Sequence, residues 1–253
     1  SLIRYLMRHH HWSPFEQCMF TFRMKLPIFV ARQFVRHRTA KINEVSGRYT
    51  VFEDDYYTPD VLSFQSKDNK QGSGSSLPNF LAKAVKNYIS NVADSAYKAY
   101  SEMVQTDYHQ RRIFHTSDSD YLSTYELYHL SDGGGLAREL ARMILPVNFY
   151  TTWYFTIDLR NLFNLLKLRM DSHAQSEARI YANAMYELIK DKVPLALEAF
   201  DDYILHGCHF SKQEMEIFRE SVSPNLFMAC LEDCESLSKR EKQELRKKVG
   251  IDD

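Results

Sequence analysis

RQFVRHRTAKINEVSGRYT, residues 32–50, carries Arg32, Arg36, Arg38, Lys41 and Arg48, with His37 among them, against a single acid, Glu44. The whole chain is almost neutral, with a formal net charge of -1 at pH 7. Positive charge is therefore gathered locally, and a lone carboxylate is kept inside it.

Local patterning around this stretch predicts the elements that present it. Upstream, CMFTFRMKL alternates: Cys18, Phe20, Phe22, Met24 and Leu26 share one face, and Met19, Thr21, Arg23 and Lys25 the other. That is the period of a half-buried strand. Residues 28–37 follow as a helix. At about 100° per residue, Arg32, Gln33, Arg36 and His37 fall on one side, with Ile28, Ala31, Phe34 and Val35 opposite. Residues 39–48 contain Asn43 and Gly47 and read as a loop. RYTVF, residues 48–52, reads as the opening of a second strand.

A helix end crowded with arginine and running into a Gly-containing loop suits phosphate. The guanidinium fork matches two phosphate oxygens at once, and loop N–H groups add donors. Glu44, an acceptor, suits a ribose or base donor. The same residues also read as a solvated basic helix face with Glu44 paired to an arginine.

Working outward, Ser13, Pro14 and Glu16 have the spacing of a helix capping box after a short helix at 2–10. Residues 65–76, QSKDNKQGSGSS, are polar and low in complexity, as a flexible loop would be. Helices are predicted over 78–105 and 136–145, with a surface insertion at about 108–135. VNFYTTWYFTI, from Val147 to Ile157, alternates as a strand with Val147, Phe149, Trp153, Phe155 and Ile157 on one face. Helices follow at 159–170, 173–192 (Ser172 as its cap, Gln175 three residues on) and 194–205. Short helices then run from Cys208 to a charged, frayed end. On the 159–170 helix Arg160, Asn164 and Lys167 share the polar side. Arg169 lies half a turn from Arg160, among Leu162, Leu165 and Leu166. A cation there needs a partner: a buried salt bridge, a subunit interface, or an anionic ligand held in a dry pocket.

Composition excludes several classes. The 253 residues are 44% hydrophobic and 26% charged, ordinary for a folded chain with a substantial core. A pI near 6.8 argues against a general nucleic-acid binder. No apolar run of about 18 residues occurs, so no membrane span is expected. Cys18, Cys208, Cys230 and Cys234 form no Cys-x-x-Cys pair, and an intracellular, reduced, cytoplasmic protein is expected. His9, His10 and His11 are consecutive and diverge on a helix, so no metal site is expected. Gly133–Gly135 lacks the spacing of a dinucleotide fingerprint.

Arg36-His37-Arg38, seven residues, then Ser46 strongly resembles the signature of the flavin-dependent thymidylate synthases, the ThyX family. HHWSPFE, LPIFVARQFVRHR, ARMILPVN and LKLRMDSHAQ resemble further family blocks in the family's order, across roughly residues 2–205. The resemblance implies an α+β fold, a mostly antiparallel sheet flanked by helices, assembled as a homotetramer with active sites between subunits. It implies a family domain over 1–207 and leaves 208–253 as a helical extension. It implies FAD as cofactor, NADPH as reductant, methylenetetrahydrofolate as carbon donor and dUMP as acceptor, giving dTMP, with no nucleic-acid or membrane partner. By the same resemblance, His11, Ser13, Arg36, His37, Arg38, Asn43, Glu44, Asp158, Arg160, Asn164 and His173 belong to the flavin site. Gln33, Arg36, Glu44, Val45, Ser46, Gly47, Arg48, Arg142 and Arg169 belong to the dUMP site. Arg169 is the implied catalytic residue, polarising the uracil ring. Asp158 stands where the family usually has Asn; an ionised Asp cannot donate a hydrogen bond as Asn can.

Overall fold

A computed structural model describes residues 2–67, 72–104 and 135–250. The chain divides into two compact units, Ser1–Leu197 and Glu198–Asp253; the boundary expected after residue 207 falls inside the second. The predicted insertion at 108–135 lies, but for residue 135, outside the described residues.

In the first unit, helices α1 (Leu2–Arg8) and α2 (Ser13–Glu16) lead into strand β1 (Met19–Pro27) and helix α3 (Ile28–Phe34). Strand β2 (Lys41–Glu44) follows, then β3 (Ser63–Gln65), β4 (Ser73–Ser76) and the long helix α4 (Asn79–Val104). Helix α5 (Arg138–Ala141) runs on as a 3-10 turn, Arg142–Ile144. Strand β5 (Tyr150–Asp158) then feeds helices α6 (Leu159–Met170) and α7 (Ser176–Ile189). The main sheet has the order β1-β5-β2, antiparallel throughout.

Alternation explains the sheet. Phe22, Met24 and Leu26 on β1 and Thr151, Trp153, Phe155 and Ile157 on β5 point to the buried face. Thr21, Arg23 and Tyr154 stand on the exposed one. The buried face meets an apolar set that includes Phe34 from α3 and Leu162, Phe163, Leu165 and Leu166 from α6. Phe155 is fully buried, edge-on to Phe34 with ring centroids 6.3 Å apart. Truncating a ring so placed costs about 3–5 kcal/mol. β1 ends at Pro27, which supplies the extended backbone (φ -62, ψ 144) just ahead of α3; proline has no N–H to extend the ladder. Asp158 starts α6 by accepting the N–H of Asn161 at 3.0 Å.

Several sequence expectations are corrected. Residues 41–44 form β2 rather than loop, because β5 offers its free edge there: Glu44 lies opposite Trp153 and Val45 N–H donates to Thr152 O at 2.9 Å. RYTVF is a turn and bend, not a strand. The polar stretch after 63 contributes a hairpin, Ser63 pairing with Ser76. The helix expected at 28–37 stops at Phe34. Val147 is exposed, ahead of β5. Neither expected cap forms: Trp12, not Ser13, precedes α2, and Gln175, not Ser172, precedes α7. Glu16, instead of closing a box, is drawn to the guanidinium of Arg160. Cys18 is half-buried, and that burial raises its thiol pKa.

The second unit contains a π turn, Asp201–Leu205, and helices Lys212–Ser221, Pro224–Asp233 and Lys239–Val249. The last is not frayed up to residue 250. Ser238 and Glu241 form a complete capping box, and Gly250 closes the helix at φ 76, a left-handed value that glycine takes without strain. Among the described residues no helix is long and apolar enough to cross a membrane.

Candidate active site

The arginine-rich stretch leaves α3 as a turn and returns as β2, so its charges stand at one edge of the sheet. Arg32, Arg36 and Arg38 are exposed and form no ion pair with any described carboxylate. Glu44 does not neutralise them either. Its Oε1 accepts the hydroxyl of Thr151 on β5 at 2.6 Å. A basic face with Glu44 paired to an arginine is therefore not what forms. Asn43, its neighbour on β2, projects to the opposite, exposed face beside Tyr154.

Arg169, near the end of α6, is held by neutral acceptors. Its Nε–H donates to His37 Nε2 at 3.2 Å, Nη1 to Gln33 Oε1 at 3.3 Å and Nη2 to the Gln33 carbonyl at 3.0 Å. A guanidinium has five N–H donors, so two remain. Burial lowers the Arg169 pKa from its usual value. Burial first, and then the Arg169 charge, push His37 down to about 4. At neutral pH His37 is therefore uncharged and able to accept. Gln33 is itself held from the far side, its amide donating to Gln175. Of the options for a cation on this apolar face, a salt bridge within the described residues is not the one realised.

A third group surrounds the turn after β2. The Ser46 hydroxyl accepts Arg48 N–H at 3.3 Å. Arg48 pairs with Glu139 at 3.0 Å, Arg142 donates to the Glu139 carbonyl at 3.3 Å, and Arg138 donates to the Tyr49 carbonyl at 2.7 Å. Helix α5 is thus fastened over the turn and brings Arg142 to it. Gly47 is buried there. A Cβ on it would lie 2.3 Å from Phe52 Cε2 and 3.2 Å from Arg142 Cδ, so this position requires glycine for room. Val45, Ser46 and Gly47 form one wall of a cleft that Lys25, Phe52, Asp55 and Tyr150 complete.

The remaining expected residues stand at both ends of α6 and on the elements before β1. Arg160 pairs with Glu16 and lies over the Trp12 ring, 5.9 Å from its centroid. Asn164, one turn on, is exposed, and Ser13 opens α2 beside them. His11 is exposed, stacked 6.1 Å from Tyr5. Asp158 is occupied as a cap, with both carboxylate oxygens accepting from Asn161. His173 is exposed and bonded through Nδ1 to Asp171 at 2.8 Å. Arg160 and Arg169 meet different partners, in keeping with their half-turn separation on the helix. Thr151, Glu139, Glu16 and Gln175 were not singled out as site residues from sequence. Thr151 carried one usable signal, a hydroxyl at an inward position of an alternating strand.

The sequence matches the family described as Thymidylate synthase complementing protein over residues 1–195. It is 39% identical over 250 residues to the flavin-dependent thymidylate synthase of Rickettsia bellii, covering 98% of this chain and 79% of the relative. The enzyme of the same name from Thermus thermophilus is 39% identical over 250 residues, covering 99% and 81%. Among solved structures, the UMP/dUMP methylase PolB from Streptomyces cacaoi bound with 5-Br dUMP superposes with a TM-score of 0.63 at 30% identity. That match covers 80% of this chain and 78% of PolB.

Proposed function

The chain belongs to the flavin-dependent thymidylate synthase family, and we propose that it methylates dUMP with FAD as cofactor, NADPH as reductant and methylenetetrahydrofolate as carbon donor. The balanced reaction takes dUMP, methylenetetrahydrofolate, NADPH and a proton to dTMP, tetrahydrofolate and NADP+. One observation carries the reading: Arg169 is braced on three neutral acceptors with no counter-charge among the described residues. Such a guanidinium keeps its charge for a ligand.

The donor chemistry suits FAD. Arg36 and Arg38 are exposed and have no ion-pair partner among the described residues, and planar forks of this kind match the oxygens of a diphosphate. Ser13, Arg160 and Asn164 add a hydroxyl, a cation and an amide, and His11, His37, Asn43 and His173 are the further residues assigned to the flavin. When bound, the flavin would supply the hydride-transfer chemistry that links NADPH to reduction of the nucleotide.

The chain's own residues bind and orient dUMP. Arg48 and Arg142, with the N–H groups of Ser46 and Gly47, take the nucleotide phosphate. Glu44 accepts a donor on the sugar or base. Arg169, held in direction by Gln33 and His37, places its free N–H groups at a uracil carbonyl and draws electron density from the ring. All four cysteines are free thiols and none is among these residues, so the chemistry uses no cysteine nucleophile.

Arg160 and Arg169 face opposite sides of α6, so one copy of the chain does not bring both to one site. A homotetramer with sites shared between subunits resolves this, acting in the cytoplasm. The experiment is dTMP formation by purified protein as FAD, NADPH, methylenetetrahydrofolate and dUMP are each left out in turn. Product in the complete mixture alone supports the reading; dTMP without FAD would reject it.

A further inference from the structure

Glu44 is the one acid among the donors of residues 32–50, and the residue that fixes it comes from another element. Thr151 lies on β5, only 2% exposed. Its hydroxyl donates to Glu44 Oε1 at 2.6 Å. Glu44 lies opposite Trp153 on the paired strand, two residues along from Thr151, so the two side chains share one face of the sheet as diagonal neighbours. Val45 N–H to Thr152 O at 2.9 Å continues the ladder past both. The backbone pairing therefore sets how far apart the two side chains start. A hydroxyl this buried costs free energy if left without a partner, which holds the bond shut. A free glutamate samples many rotamers, and this one is tied at one oxygen.

We propose that Thr151 is a positioning residue for nucleotide binding. By occupying Oε1 it fixes the Glu44 carboxylate and leaves Oε2 as the acceptor presented to an N–H or O–H of the substrate nucleotide. This deepens the function proposed above and rests on it. Because Oε2 cannot donate, the position selects a donor group and rejects a carbonyl or phosphate oxygen placed there. Thr151 reaches the ligand only through Glu44.

The test is isosteric. Thr151→Val keeps shape and β-branching and removes the hydroxyl; Thr151→Ser keeps the hydroxyl. Binding of dUMP to the FAD-loaded protein is followed by calorimetry, with flavin absorbance as the check on folding and cofactor retention. Thr151→Val should weaken dUMP at least tenfold and raise KM more than it lowers kcat. Thr151→Ser should restore most of the affinity. In a Glu44→Ala background, Thr151→Val should add less than a twofold effect, since the partner is already gone. Two results would overturn the proposal: Thr151→Val binding dUMP like wild type, or the same fold loss with and without Glu44. Wild-type protein that binds no dUMP would defeat the proposed function itself and this inference with it. Binding by wild type with no coupling between the two residues defeats the inference alone.

Discussion

Arg169 donates its Nε–H to Nε2 of His37 at 3.2 Å, joining the end of α6 to the turn that follows α3. Two blocks far apart in sequence meet at this bond, and it needs a neutral His37. The ring is held low, at about 4, by burial and by the Arg169 charge. An unfolded histidine titrates near 6.5. Between these values the unfolded chain binds a proton that the folded chain does not, so stability rises with pH through this window and falls as pH drops from about 6.5 toward 4. His37→Gln keeps an acceptor and removes the titration. Its urea midpoint should fall less than that of wild type over this range; parallel curves would count against a depressed His37.

Arg169→Lys tests the fork against the charge. Lysine keeps the charge but cannot hold three fixed directions at once. Turnover should fall roughly 10²–10³-fold, the range for losing an oriented donor at developing charge. Flavin absorbance should be retained, since none of the residues assigned to FAD is changed. Turnover within a few-fold of wild type would show that charge alone suffices.

Gly47→Ala should be destabilising by about 1–3 kcal/mol, the scale of overpacking, because its Cβ would meet Phe52 at 2.3 Å. Gly47 has no positive φ to blame. The double variant Gly47→Ala with Phe52→Leu should therefore recover part of the loss in thermal unfolding. A double variant no more stable than the sum of the two single losses would place the strain elsewhere.

Asp158→Asn should have little effect on stability or flavin content, since Asn caps a helix about as well as Asp. Asp158→Ala should cost about 1 kcal/mol through the lost cap. Full FAD content in both variants identifies Asp158 as a cap; loss of FAD from a folded Asp158→Ala protein would return it to the flavin site.

Periodicity made most of the frame legible. β1 and β5 announced themselves by alternation, and α6 by a helical apolar face that placed Arg160 and Arg169 half a turn apart. β2 was not legible. KINE has only Ile42 as a strong strand former, and it extends because β5 offers an unpaired edge, which no local pattern reveals. Capping was misread for a similar reason. Glu16 has the spacing of a box, but the distant Arg160 is the stronger partner. Charge alone left the role of the arginines open, because whether Glu44 pairs with an arginine depends on Thr151, 107 residues away.

The most direct test of the whole account is one turnover assay on purified protein reconstituted with FAD, following NADPH oxidation and dTMP together in the presence of dUMP and methylenetetrahydrofolate. A yellow protein that forms one dTMP per NADPH consumed, and none when dUMP is left out, is the predicted result. A protein that stays colourless after reconstitution, or one that holds FAD and oxidises NADPH yet makes no dTMP, would contradict it.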